Sequence, residues 1–161
     1  MSDDLATFIR KTDAMIEAVE QYAEEVGRRY FVHMAAHVIR WTPGPNLQFP
    51  HDTAYIATGR LRAAWSYSEA PIGSTSRRDG GPYTQHGDDT LSQIEADFPK
   101  GRLPQSAYLV NDVLYGYIIQ EGGPGHGAPR PGPDGDGRHW VINTPRHAER
   151  FLREAKAEAG A

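Results

Sequence analysis

Ten positions spaced alternately four and three residues apart dominate the first quarter of the chain. Leu5, Ile9, Thr12, Ile16, Val19, Ala23, Val26, Tyr30, His33 and His37 are apolar, small or aromatic. Such steps keep side chains on one side of an α-helix. The spacing predicts a single long helix over 1–41. Ser2 or Asp3 can cap its start, and Asp4 sits near the positive end of its dipole. Gly27 is its weak point, costing ~1 kcal/mol against Ala and inviting a bend or break. Thr42-Pro43-Gly44-Pro45 stops it. A helix of this length either covers a sheet or projects and packs on neighbouring subunits. The stripe alone does not define a coiled coil, and the expectation is a helix that covers the core.

Beyond it, Pro43–Thr58 reads as a loop rich in Pro, Asn and His. Thr58–Trp65 reads as a turn entering a strand, after which Trp65, Tyr67 and Glu69 alternate with small or polar residues. On such a strand Arg60 and Arg62 share a side. Residues 71–87 are a Gly/Pro loop. Asp88-Asp89-Thr90 caps a short helix near 88–98, with Leu91, Ile94 and Phe98 at helical spacing. Tyr108–Val110 reads as a buried strand, and Val113–Ile119 is the most apolar stretch in the chain. Seven Gly and four Pro fall between Gly122 and Gly137, so 122–138 is expected to be a flexible loop. Trp140–Ile142 resumes a strand. Thr144-Pro145 opens a last helix over 144–159. The whole makes a single domain over 1–161, with its sheet core in 58–121. Trp65 and Tyr115 are expected inside it.

Composition narrows the chemistry. The 161 residues suit one domain, and the absence of Cys rules out disulfide scaffolds, zinc fingers and thiol catalysis. No apolar run approaches the roughly 20 residues of a membrane span. The acidic start lacks a signal-peptide core, so a cytoplasmic origin is expected. Net charge is −4, against the basic balance usual in nucleic-acid binders. The basic residues are 14 Arg and 3 Lys; Arg suits planar contacts at interfaces, and a GC-rich coding sequence gives the same skew.

No phosphate-binding loop, dinucleotide fingerprint or nucleophile elbow occurs. His33 and His37 could begin a zinc site. They lack the Glu of a metalloprotease helix and a third ligand, so packed or interface histidines are preferred. Asp134-Gly135-Asp136-Gly137 lacks the bidentate Glu of a calcium loop. Buried after an apolar stretch, Glu121 could be a general acid. The alternative, preferred here, is structural: it accepts N–H groups of the following Gly-rich turn or pairs with Arg60 or Arg62. Gly59 and Gly122 would let backbone approach closely beside an Arg60–Glu121 pair.

Thr42-Pro43 followed by Thr58-Gly59-Arg60-Leu61-Arg62-Ala63-Ala64-Trp65 resembles a signature of phage neck and tail-completion proteins. Asn111-Asp112-Val113-Leu114-Tyr115-Gly116 with Ile119-Gln120-Glu121-Gly122 is similar to a second block of that family. Gly127-Ala128-Pro129 and Trp140-Val141 resemble a diverged third. The likeness spans residues 35–145 with block order preserved, and is nearest to the minor tail protein Z family of lambda-like siphophages. An insertion over Gly44–Ala57, Gly116 in place of Ala and the long 122–137 loop depart from the pattern.

The resemblance implies an α+β fold: a long N-terminal helix and a C-terminal helix packed on a small antiparallel β-sheet, with long Gly/Pro-rich loops. It implies a sixfold ring at the phage neck, assembled in the host cytoplasm and carried in the virion, completing or terminating the tail. Its partners would be copies of itself, the tail tube or tail terminator protein, and head connector or adaptor proteins. DNA would pass through the lumen without specific binding. No membrane, cofactor, metal or catalytic role is implied. Thr58, Gly59, Arg60, Leu61, Arg62, Trp65, Asn111, Tyr115, Glu121 and Gly122 would be structural or interface positions. The loops at 71–87 and 122–137 are expected to order against neighbouring subunits, having too little apolar content to fold onto their own core. Other neck rings, a small metal- or carboxylate-dependent hydrolase using Glu121 and the His residues, and a nucleic-acid-binding regulator stay open as alternatives.

Overall fold

The computed structural model describes residues 2–42, 48–49, 52–56, 60–71, 87–111, 113, 141 and 144–161. In chain order the elements are α1 (Ser2–Trp41), β1 (Gln48–Phe49), β2 (Asp52–Ile56), α2 (Arg60–Ala63), β3 (Ser66–Ser68), α3 (Asp88–Asp97), β4 (Tyr108–Val110), a 3-10 turn (Thr144–His147) and α4 (Ala148–Ala159). The fold is α+β and mostly helical, with a long N-terminal helix packed on the C-terminal one and a small antiparallel sheet.

Helix α1 runs unbroken through 40 residues. Gly27 does not interrupt it. A side chain there would collide with Leu103, so this glycine marks a close approach and not a hinge.

The second half of α1 uses two faces. Phe31, Ala35 and Ile39 join Ile94 and Phe98 of the α3 region in the buried core. Met34, Trp65, Tyr67, Leu91 and Leu109 pack around that cluster. Phe31, Tyr67 and Phe98 meet ring to ring, with centroids 5.3–5.5 Å apart. Stripe positions Tyr30, His33 and His37 turn to α4 instead. One residue rotates a helix by roughly 100°, so the main core lies on the next face round from the stripe. A helix held between a sheet and another helix needs both faces, and the four–three pattern traces only one.

Helix α4 packs chiefly on α1 and runs antiparallel to it. Arg150 meets His37, Phe151 meets Tyr30, and Glu158 meets Arg29. Phe151 and Ala155 are its buried anchors, and Leu152 is exposed. The expected start at Thr144 is a 3-10 turn with Thr144 buried, and the α-helix itself is capped at His147.

Strands β3 and β4 pair antiparallel with Tyr67 opposite Leu109, and both of these side chains reach the core. Tyr108–Val110 is half-buried, not fully buried, because its pair packs on the core with one face. Three further expectations are corrected. The segment read as loop contains a second antiparallel pair, β1 and β2, with Gln48 opposite Ile56. Arg60–Ala63 is a turn of helix and not the start of a strand, so Arg60 and Arg62 do not share a strand face; Arg, Leu and Ala all favour helix. Val141 is helical where a strand was expected.

Helix α3 places Ile94 and Phe98 inside and Leu91 at the core edge, as the spacing predicts. Its cap differs. Gly87, with left-handed backbone at φ 78°, is the N-cap and no side chain caps it. Asp88 and Asp89 lie in the first turn, where the helix dipole favours acids.

Candidate functional site

Two of the sequence blocks converge at the end of α1. Thr42 is fully buried. Its N–H returns to the Val38 carbonyl at 3.0 Å, and its hydroxyl donates to the same carbonyl at 2.8 Å. That hydroxyl accepts Trp65 Nε1–H at 2.8 Å, and the Thr42 carbonyl accepts Arg62 Nε–H at 2.8 Å. Arg62 Nη2 also reaches the Arg40 carbonyl at 3.5 Å. The guanidinium thus satisfies carbonyls at the negative end of the α1 dipole. Burial pulls its pKa below the ordinary value, and an arginine stays charged at neutral pH regardless.

Asn111 closes the other side. Its Nδ2 donates to the Leu61 carbonyl at 2.7 Å, while its Oδ1 accepts the Val113 N–H at 3.1 Å, an Asx turn. Leu61 itself is buried. Thr42, Leu61, Arg62, Trp65 and Asn111 therefore form one lock joining α1, α2, β3 and the end of β4. Thr58, Gly59, Tyr115, Glu121, Gly122 and the Arg60 side chain lie outside the described residues. So do the Arg60–Glu121 pairing and the two long loops, apart from Pro71 and Gly87.

A cleft of about 380 Å³ opens between α1 and α4, lined by His33, His37, Trp41, Arg150, Phe151 and Glu154 among others. His33 lies 3.2 Å from Glu158 and 3.8 Å from Glu154. The His37 and His147 rings meet tilted by 47° with centroids 4.7 Å apart, and Arg150 Nη2 stands 3.4 Å from His37 Nδ1. The two helix histidines share a face as their spacing requires. One looks at carboxylates and the other at a guanidinium, which repels a cation. Among the described residues no three His, Asp or Glu side chains are grouped to hold a metal.

The middle of α1 is fixed by ions that sequence spacing did not single out. Arg28 forks onto Glu25 at 2.8–2.9 Å and also reaches Glu95 of α3. Arg29 holds Glu25 and, at 2.7 Å, Glu158 of α4. The bond from Arg28, with Arg29 adding to it, lowers the Glu25 pKa from 4.5 to about 2. Arg29 lowers Glu158 likewise. Depressed carboxylates stabilise the fold above their ordinary range and lose that contribution as they protonate. The urea midpoint is therefore expected to fall as pH drops from 4.5 towards 2. Glu25→Gln should start lower and lose less across that window; an unchanged slope would show that Glu25 does not contribute.

The first half of α1 is different. Residues 4–22 are exposed apart from Thr7 and Thr12, which are partly so. Leu5, Phe8, Ile9, Met15, Ile16, Val19 and Tyr22 are all open, from 45% at Tyr22 to 68% at Met15. The expectation of a helix covering the core thus holds for its second half alone. No described helix is long and apolar enough to cross a membrane. Compared with known protein families, curated proteins and solved structures, the chain matches none.

Proposed function

We propose that the chain is a structural protein of a phage particle: a neck ring that completes or terminates the tail and joins it to the head connector. The observation that carries this is the lock at the end of α1. Residues from two separated blocks of the tail-completion resemblance, Leu61–Trp65 and Asn111–Val113, meet there with Thr42. Their polar atoms are spent on backbone and on each other, which is the use a scaffold makes of them. An open apolar helix face adds a surface suited to assembly. A net charge of −4 suits a ring wall past which DNA slides without being gripped. The partners are further copies, sixfold in the family resembled, with the tail tube or tail terminator on one side and head connector or adaptor proteins on the other.

A phage lacking this chain is expected to make filled heads and separate tails but few joined particles. Mass spectrometry should find the protein in purified virions at the low copy number of a ring. Normal joining in the deletion phage, or absence of the protein from particles, overturns the proposal.

A further inference from the structure

We infer that the open half of α1 is covered by the same segment of a second copy of this chain, lying antiparallel to it. The surface is large enough to need a partner. Its exposed apolar side chains present on the order of 700 Å², more than the roughly 300–600 Å² of the largest patch on a typical monomer. It also approaches the roughly 800 Å² per partner of a standard interface.

Continuity says what lies there. On the covered half, Tyr30, His33 and His37 are packed by α4, which runs antiparallel to α1. Helix α4 stops at Ala159, just past the Glu158–Arg29 bridge. The stripe does not stop. It continues without a phase change through Val26 and Ala23 to Leu5. A second antiparallel helix placed end to end with α4 extends the same seam. The N-terminus of the incoming helix then faces the C-terminus of α4, so the two dipoles are head to tail.

The spacing of the open stretch admits another copy, and the side chains in its layers favour one. Positions 5, 9, 12, 16, 19 and 23 have steps that read the same from either end. A two-fold axis beside Ala14 sets Leu5 against Ala23, Ile9 against Val19 and Thr12 against Ile16. Each layer pairs a larger side chain with a smaller one, the alternation that lets facing helices interdigitate. On one flank Phe8 meets Tyr22 and Met15 meets its own mate. On the other, Ala6 meets Glu20 and Asp13 meets its own mate, a like-charge contact at the edge of the seam. The interface is isologous, as two-fold pairing requires. It does not rest on the neck reading: it describes the free chain in solution, and a sixfold ring in the particle would need a separate, heterologous contact.

Sedimentation of the full chain across the micromolar range tests this. The expected mass is twice 17.8 kDa. Ile9→Glu with Ile16→Glu is expected to halve the mass with helix content unchanged, because both positions are exposed in the single chain, and to make the urea midpoint independent of protein concentration where the native midpoint rises with it. The chain has no Cys, so orientation can be read by oxidation without background. Leu5→Cys should not cross-link to itself but should cross-link when mixed with Ala23→Cys. A native monomer, an oligomer whose size ignores the two Glu substitutions, or self-cross-linking of Leu5→Cys overturns the inference. An oligomer that ignores the substitutions would leave the neck reading intact, so the two can fail separately.

Discussion

Trp65→Ala is expected to lower stability by about 3 kcal/mol, at the lower end for an aromatic truncation because the ring keeps some exposure. Two losses combine. The ring leaves the edge of the Phe31–Phe98 core, and the buried Thr42 hydroxyl loses the indole donor at 2.8 Å. The second loss can be isolated. Trp65→Phe keeps much of the packing and removes the bond, and Thr42→Val removes the acceptor. A double-mutant cycle on these two should show coupling of about 1 kcal/mol. Urea unfolding followed by circular dichroism gives both numbers. No coupling would mean that the bond adds nothing and that Trp65 acts through packing alone. If Trp65→Ala costs under ~1 kcal/mol, the kind of loss a surface site shows, the lock is not a stability element.

Gly87→Ala is expected to cost a similar amount, about 3 kcal/mol, by another route. At φ 78° a Cβ costs about 1–2 kcal/mol in backbone strain. Here it also meets the Ile39 side chain and, at 3.0 Å, Cδ of Arg62. Ile39 is almost fully buried and Arg62 is held by Thr42, so neither yields cheaply; overpacking adds about 1–3 kcal/mol. Gly101 is the internal control. It has nearly the same φ, 77°, with nothing within 4 Å of the added atom. Gly101→Ala should show the backbone cost alone. Equal losses at the two sites would show that crowding at Gly87 is relieved without penalty.

Much of the fold was legible because local signals agreed. The helix from residue 2 to 41 follows from the stripe and the Thr42-Pro43 stop. The buried face of α3 follows from Leu91, Ile94 and Phe98. The misreadings have physical causes. Arg60–Ala63 lies just before a true alternation that begins at Trp65, and its helix-forming residues were absorbed into the strand. The β1–β2 pair is short and sits among prolines and a histidine, so period-two patterning had no length in which to show. Stripe residues look alike in both halves of α1. Which half is covered depends on the length of α4, only 12 residues, and no pattern within α1 encodes that. The lock was foreseen only as a set of resembling residues. The bonds from Arg62 and Trp65 to Thr42 span 20 and 23 positions, and the bond from Asn111 to Leu61 spans 50, beyond the reach of spacing rules.

The mismatch in length between α1 and α4 has a mechanical side. Arg28 and Arg29 tie α1 to α3 and α4 just beyond its midpoint, leaving a rod of some twenty residues, roughly 30 Å, beyond the anchor. An unbroken α-helix curves only gently over that distance, so the rod has the geometry of a lever. A tilt of about 10° at the anchored end swings the tip by roughly 5 Å, one turn of helix. Small rotations of the folded body are thereby magnified at residue 5, and a body clamped in place holds that tip at a set reach.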